Sequence, residues 1–172
     1  MSQNGTKILL IGFGNPGRLD DGLGPALAEA VAKLEIPGVT VDADYQLTVE
    51  DAAEVARHDV VIFADADVSG PEPFAFRRIE PVPAVSFSSH SVQPSAVLGL
   101  AHELFGARTK GYLLGMRGYA FNAFDETLSE KARANLVEAL RFITQVLRDG
   151  RFREVAGNPD EAPVAIGAPM TR

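Results

Sequence analysis

The chain has 172 residues, 46% apolar and 23% charged, an ordinary globular composition that argues against disorder. A net charge of −7 speaks against nucleic acid or an anionic membrane as the main partner. With no cysteine, disulfides, thiol nucleophiles and thiolate metal sites are excluded together, and a reducing cytoplasm is the expected compartment.

Residues 7–13 are a short apolar run closed by Gly14, which predicts a first strand. Leu23, Leu27, Val31 and Leu34 then recur at helical spacing, predicting a helix over 22–33 that tolerates Pro25 in its first turn. Residues 38–44 (GVTVDAD) read as a second strand. Thr48-Val49-Glu50-Asp51 is a capping box that opens a second helix to about Arg57. The continuous apolar run 59–64 (DVVIFA) predicts a strand covered on both faces, as in a parallel sheet.

After the Gly70-Pro71 turn, residues 74–79 alternate weakly and suit an edge strand. Val97, Leu100, Ala101 and Leu104 mark a helix over 94–105 capped by Gly106, and 112–116 is another strand. Thr127-Leu128-Ser129-Glu130 forms a second capping box, and Ala132, Leu136, Leu140, Ile143 and Leu147 stripe a final helix to Asp149-Gly150. Strands alternating with helices imply a three-layer α/β fold, with a twisted, mostly parallel central sheet of about five strands and helices on both faces. Residues 1–150 are expected to form one domain, and the Gly-, Pro- and Ala-rich residues 151–172 a flexible tail. No membrane span and no signal peptide are expected.

In such folds ligands gather beyond the carboxyl ends of the parallel strands. The first of those loops carries Gly12, Gly14 and Gly17 in a G-x-G-x-x-G pattern, and Asp42 or Asp44 further on could meet a ribose. Three features oppose a dinucleotide. Residues 18–22 separate the last glycine from the helix, Pro16 removes an amide donor, and Asp20 and Asp21 would repel a pyrophosphate. A metal suits the loop better. Asp21, Asp65 at the end of the third strand and His90 before the third helix offer two carboxylates and an imidazole, a set for zinc, nickel or a similar ion with a position left open. Taken singly, Asp21 could cap the first helix, Asp65 could be a solvated strand end and His90 a turn residue. Their joint placement at one sheet edge favours the functional reading.

Rival chemistries lack their residues. His102-Glu103 begins an H-E-x-x-H motif, but Gly106 stands where the second histidine belongs. No G-x-S-x-G elbow supports Ser88 or Ser89 as a nucleophile. His58, at the end of the second helix, reads as structural.

Three blocks in this order, GFGNPGRLDDGLGP, VVIFADA and SSH before a proline-opened helix, resemble the hydrogenase maturation proteases. DYQLTVEDA and GYLLGMRGYAFNAF extend the likeness over about residues 7–148. The resemblance implies a single α/β domain and an endopeptidase that trims the C-terminal extension from the large-subunit precursor of nickel–iron hydrogenases. It also implies that Asp21, Asp65 and His90 are the metal-binding and catalytic positions. The nickel would arrive with the precursor, and zinc or cadmium could occupy the same site. In the implied mechanism Asp20 or Asp67 could orient a water. The other classes the residues allow are a non-proteolytic chaperone that checks the precursor for nickel, and a dinucleotide-binding enzyme.

Overall fold

In the computed structural model, residues 5–83 and 92–158 are described. Five strands form one sheet: β1 (Ile8–Phe13), β2 (Val39–Asp44), β3 (Val60–Asp67), β4 (Phe74–Ile79) and β5 (Lys110–Arg117). Their order is β2-β1-β3-β5-β4, with β4 antiparallel to β5 and the other pairs parallel. The weakly alternating run 74–79 is therefore the edge strand expected. It follows β3 in sequence, yet β5 lies between the two.

The helices are α1 (Leu23–Ala32), α2 (Asp51–Ala56), α3 (Pro94–Phe105), α4 (Glu130–Asp149) and α5 (Phe152–Val155). Alternation along the strands divides the core into two layers. Leu10, Ile62, Tyr112 and Leu114 face α1, α4 and α5, while Leu9, Ile11, Val61 and Phe63 face α2 and α3. The central strands are buried on both sides, which explains their unbroken apolar runs.

Local signals set most of the boundaries. Gly106 and Gly150 adopt left-handed φ of 61° and 72° and end α3 and α4 at the expected residues. In the first capping box, the Asp51 carboxylate accepts from the Thr48 amide at 2.8 Å, but α2 begins only at Asp51, with Glu50 at the cap position and no side-chain bond there. The second box is shifted. Ser129, not Thr127, caps α4, its hydroxyl accepting from the Ala132 amide at 3.3 Å, because Ser129 already has an extended backbone and Glu130 is the first helical residue. The first residues after Gly150 also differ from a loose tail. Phe152 is only 6% exposed, packs its ring at a tilt 5.5 Å from that of Tyr112 and opens α5. One aromatic side chain is enough to seat the segment, and no periodicity announces it. Residues 159–172 lie outside the described residues.

Close approach of α1 to the sheet explains the glycines better than a phosphate does. A Cβ at Gly12 would sit 2.1 Å from the Gly24 carbonyl, and one at Gly24 would sit 2.4 Å from the Phe13 and 2.6 Å from the Ala64 carbonyl. Gly24→Ala must therefore push α1 off β1 and β3. We expect a loss of about 1–3 kcal/mol, read as a lower urea midpoint at unchanged slope. An unchanged midpoint would show that the helix moves freely.

Candidate active site

The carboxyl ends of β1 and β3 lie side by side, with β2 outside β1. From them project the loop 14–22 and the run Asp65-Ala66-Asp67. The loop is held by its own polar groups. Gly14, at φ 140°, donates its amide to the Asp44 carbonyl at 3.0 Å. The Asn15 amide donates to the Asp21 carboxylate at 2.8 Å, and the Gly17 amide to the Asn15 side chain at 2.9 Å. The amides of Arg18, Leu19, Asp20 and Asp21 donate to the carbonyls of Asn15, Asp125, Ala120 and Arg18. Every amide from 14 to 21 is thus occupied, and Pro16 has none. A pyrophosphate would find no free donor here, so the dinucleotide alternative loses its physical basis.

The adjacent aspartates have opposite surroundings. Asp20 is 0% exposed and accepts from the amides of Tyr119, Ala120 and Ser129 at 2.8, 3.0 and 2.7 Å, and from the Ser129 hydroxyl at 2.7 Å. Burial alone would raise its pKa, but these donors together hold it below the usual value. Asp20 is a structural tie between the first loop and the segment after β5. The role of orienting a water is corrected accordingly, because its oxygens are enclosed and already hydrogen-bonded.

Asp21 is half-buried in a short 3-10 turn, Leu19–Gly22. It does not cap α1. The cap position is Gly22, with no side-chain bond, because the 3-10 turn runs straight into the helix. One Asp21 oxygen is fixed by the Asn15 amide, and among the described residues no donor reaches the other.

Asp65 is not a solvated strand end. Burial pushes its pKa up to about 7; the Ala66 amide, 2.8 Å from one oxygen, opposes this, while the Asp21 and Asp67 carboxylates add to it. A carboxyl so placed takes a proton or a cation near neutral pH. Asp67 spends one oxygen on the turn that follows, accepting from the Ser69 and Gly70 amides at 3.1 and 2.9 Å. His90, Ser88 and Ser89 lie outside the described residues. Asp21 and Asp65 thus supply two mutually repelling carboxylates, each anchored by one backbone amide, which is a donor set that hard or borderline divalent cations favour.

The other histidines are structural. His58 Nδ1 lies 2.8 Å from the Glu54 carbonyl at the end of α2, and His102 Nε2 lies 2.9 Å from the Thr109 carbonyl. Two groups escape sequence reasoning. Asp42, Asp44 and buried Asp51 place carboxylate oxygens within 4.8 Å of one another at the end of β2. A polar network joins Tyr119 to Glu72 and Asn135, with Arg117 and Lys131 at 5.1 and 4.6 Å from its ring. It braces the segment after β5 against the β3–β4 turn, where Arg117 also donates to the Gly70 carbonyl at 2.8 Å. Only the run of polar residues in GMRGYAFNAF hints at it.

No protein-family model and no curated protein matches the chain. Solved structures do. The [NiFe] hydrogenase maturation protease HycI of Thermococcus kodakarensis is 24% identical with a TM-score of 0.65, over 83% of this chain and 93% of that one. The hydrogenase maturating endopeptidase HybD of E. coli is 25% identical with a TM-score of 0.64, over 85% and 94%. The hydrogenase 2 maturation peptidase of a Thaumarchaeota archaeon is 21% identical with a TM-score of 0.61, over 83% and 98%. The family that the sequence motifs resemble is the family of these structures.

Proposed function

We propose that this chain, which has the fold of the hydrogenase maturation proteases, is an endopeptidase that removes the C-terminal extension from the nickel-loaded large-subunit precursor of a nickel–iron hydrogenase. The observation that carries the reading is Asp65. A carboxyl raised to about 7 at the end of a central strand, with Asp21 beside it, costs stability and has no structural task that explains it. In this reading Asp21, Asp65 and His90 engage the nickel of the precursor and so place the scissile bond. The metal supplies a Lewis acid for the carbonyl or its attacking water, and among the described residues the site presents no side-chain nucleophile for an acyl-enzyme. Zinc or cadmium suit the same oxygen and nitrogen donors.

A protein partner accords with the surface. Tyr45, Val49, Val68 and Phe124 are exposed on the segments that follow β2, β3 and β5 at this same sheet edge, Phe124 at 87%. No described helix is long and apolar enough to cross a membrane, and the acidic charge gives nucleic acid no footing. The absence of cysteine fits action in the cytoplasm.

The test is the mass of the large subunit after incubation with purified protein. Wild type shortens nickel-loaded precursor, while Asp21→Asn and His90→Ala leave it full length and unfold at the wild-type urea midpoint to within about 1 kcal/mol. A stable, uncut complex with wild type would instead assign the chain as a nickel-checking chaperone. Normal cleavage by either variant would dismiss the metal-site assignment.

A further inference from the structure

The two edges of the sheet are treated differently. The chain itself engages the outer edge of β4: the Gly157 amide donates to the Phe76 carbonyl at 3.0 Å, and the Arg78 amide to the Gly157 carbonyl at 2.8 Å. Among the described residues, no strand pairs with the outer edge of β2. The Gly38 and Asp44 carbonyls accept from β1-side amides, so Val39, Val41 and Ala43 turn their backbone groups outward. The Val39 amide is returned to the Ile36 carbonyl at 3.2 Å and the Ala43 amide to the Asp42 carboxylate at 3.0 Å, which, among the described residues, leaves Val41 open for pairing.

Beside this edge, α1 and the segment before α4 enclose a groove of about 550 Å³. Pro25, Ala26 and Ala43 line it with small side chains, which leaves room for a backbone. Its charged lining residues, Glu29, Asp42 and Glu126, are all acidic. Lys33 stands 3.9 Å from Glu29, but both are 76% exposed, where such a pair is weak. The Asp42 carboxylate itself lies on the α2 face with those of Asp44 and Asp51; burial raises the Asp44 and Asp51 carboxyls first, and the Asp42 charge adds to both. The groove reaches Pro16 and Gly22 of the loop that carries Asp21. Strand β2 (VTVDAD) has no lysine or proline of the kind that blocks edge pairing, and its aspartates would repel a second copy of itself.

We propose that the outer edge of β2, with the acidic groove beside α1, takes up an extended, lysine- or arginine-bearing segment of the polypeptide substrate as an added strand. Backbone pairing at Val41 supplies affinity, and Glu29 and Glu126 select the charge. The segment leads along β2 toward the Asp21 loop. This inference rests on the peptidase reading for the identity of the occupant.

Two probes test it. The first is a short fluorescein-labelled peptide of alternating lysine and valine, with its glutamate–valine counterpart. The second is KM for processing of the nickel-loaded precursor. The lysine peptide is expected to bind wild type with salt-sensitive affinity, weakened at least about tenfold in Val41→Pro and in the double variant Glu29→Lys/Glu126→Lys, while the glutamate peptide does not bind. In the double variant KM rises about tenfold at unchanged kcat. If Val41→Pro fails to fold, the double variant decides alone. Equal peptide binding by wild type and the double variant, no binding at all, or a concentration-dependent dimer that buries the edge overturns the proposal. Unchanged KM in a protein that cleaves precursor overturns it and leaves the peptidase reading standing. Peptide bound at β2 by a protein that never cleaves precursor overturns the peptidase reading instead.

Discussion

Asp65→Asn is expected to lose precursor processing and, at pH 8, to be more stable than wild type. The stability half of that result follows from linkage. Burial and neighbouring carboxylates raise the folded pKa of Asp65 to about 7 from 3.8. Between those values the folded state keeps a proton that the unfolded state releases. Wild-type stability therefore falls as pH rises through this window, by up to about 1.4 kcal/mol per unit, and is level above pH 7. The full penalty is on the order of 4 kcal/mol as an upper limit, since water entering the site screens part of it. An amide does not titrate, so the variant should approach wild type near pH 4 and exceed it by a few kcal/mol at pH 8. Urea unfolding at pH 4.5, 6 and 8 reads this directly, and parallel profiles for the two proteins would refute the shift. Zinc should raise the wild-type Tm at pH 8, where the carboxyl is ionised, and leave the Asp65→Asn Tm unmoved. A residue whose removal stabilises the chain while abolishing cleavage is one the fold keeps for the reaction.

Its neighbour in the loop carries the opposite expectation. Asp20→Ala should cost about 3–5 kcal/mol, because it strands three part-buried amides and a hydroxyl that now donate to one fully buried carboxylate. Asp20→Asn keeps the shape but turns an amide group toward some of those donors, and should recover only part of the loss. The pH dependence also runs the other way. The folded pKa of Asp20 lies below 3.8, so its contribution is present above that value and is lost as pH falls through the folded pKa. The urea midpoint at pH 7 measures the cost, and near-ultraviolet circular dichroism of the Tyr119 region reports whether the segment after β5 detaches. A loss under about 1 kcal/mol would show that this segment holds without the tie. Asp21→Asn, one residue along, weakens a single part-buried amide bond and should barely move the midpoint.

Much of this molecule is written locally. Apolar runs and periodicity place β1, β3, α1, α3 and α4, and glycines stop α3 and α4 where the left-handed cap requires them. The parallel, doubly covered character of the central sheet is visible in VVIFA, because a strand buried on both faces cannot afford alternation. Carboxylates in the first loop and at the end of β3 were legible as candidate ligands, since both follow strands that end at one edge. Thr127 completes a capping box with Glu130 and so puts the start of α4 two residues early; Ser129 is also a good cap residue, and its extended backbone makes it the one that caps the helix.

What the sequence determined by itself is the set of elements and the kind of chemistry at one sheet edge, because both depend on spacing and residue type along a short stretch. What the tertiary structure decided is the division of labour within that edge. Asp20 and Asp21 are chemically identical neighbours, and nothing local separates them. The difference comes from Tyr119, Ala120 and Ser129, about a hundred residues away, whose donors enclose one carboxylate and leave the other beside Asp65. The same holds for the open edge of β2. Its backbone groups look like those of any strand until the sheet order puts β1 on one side and no described strand on the other.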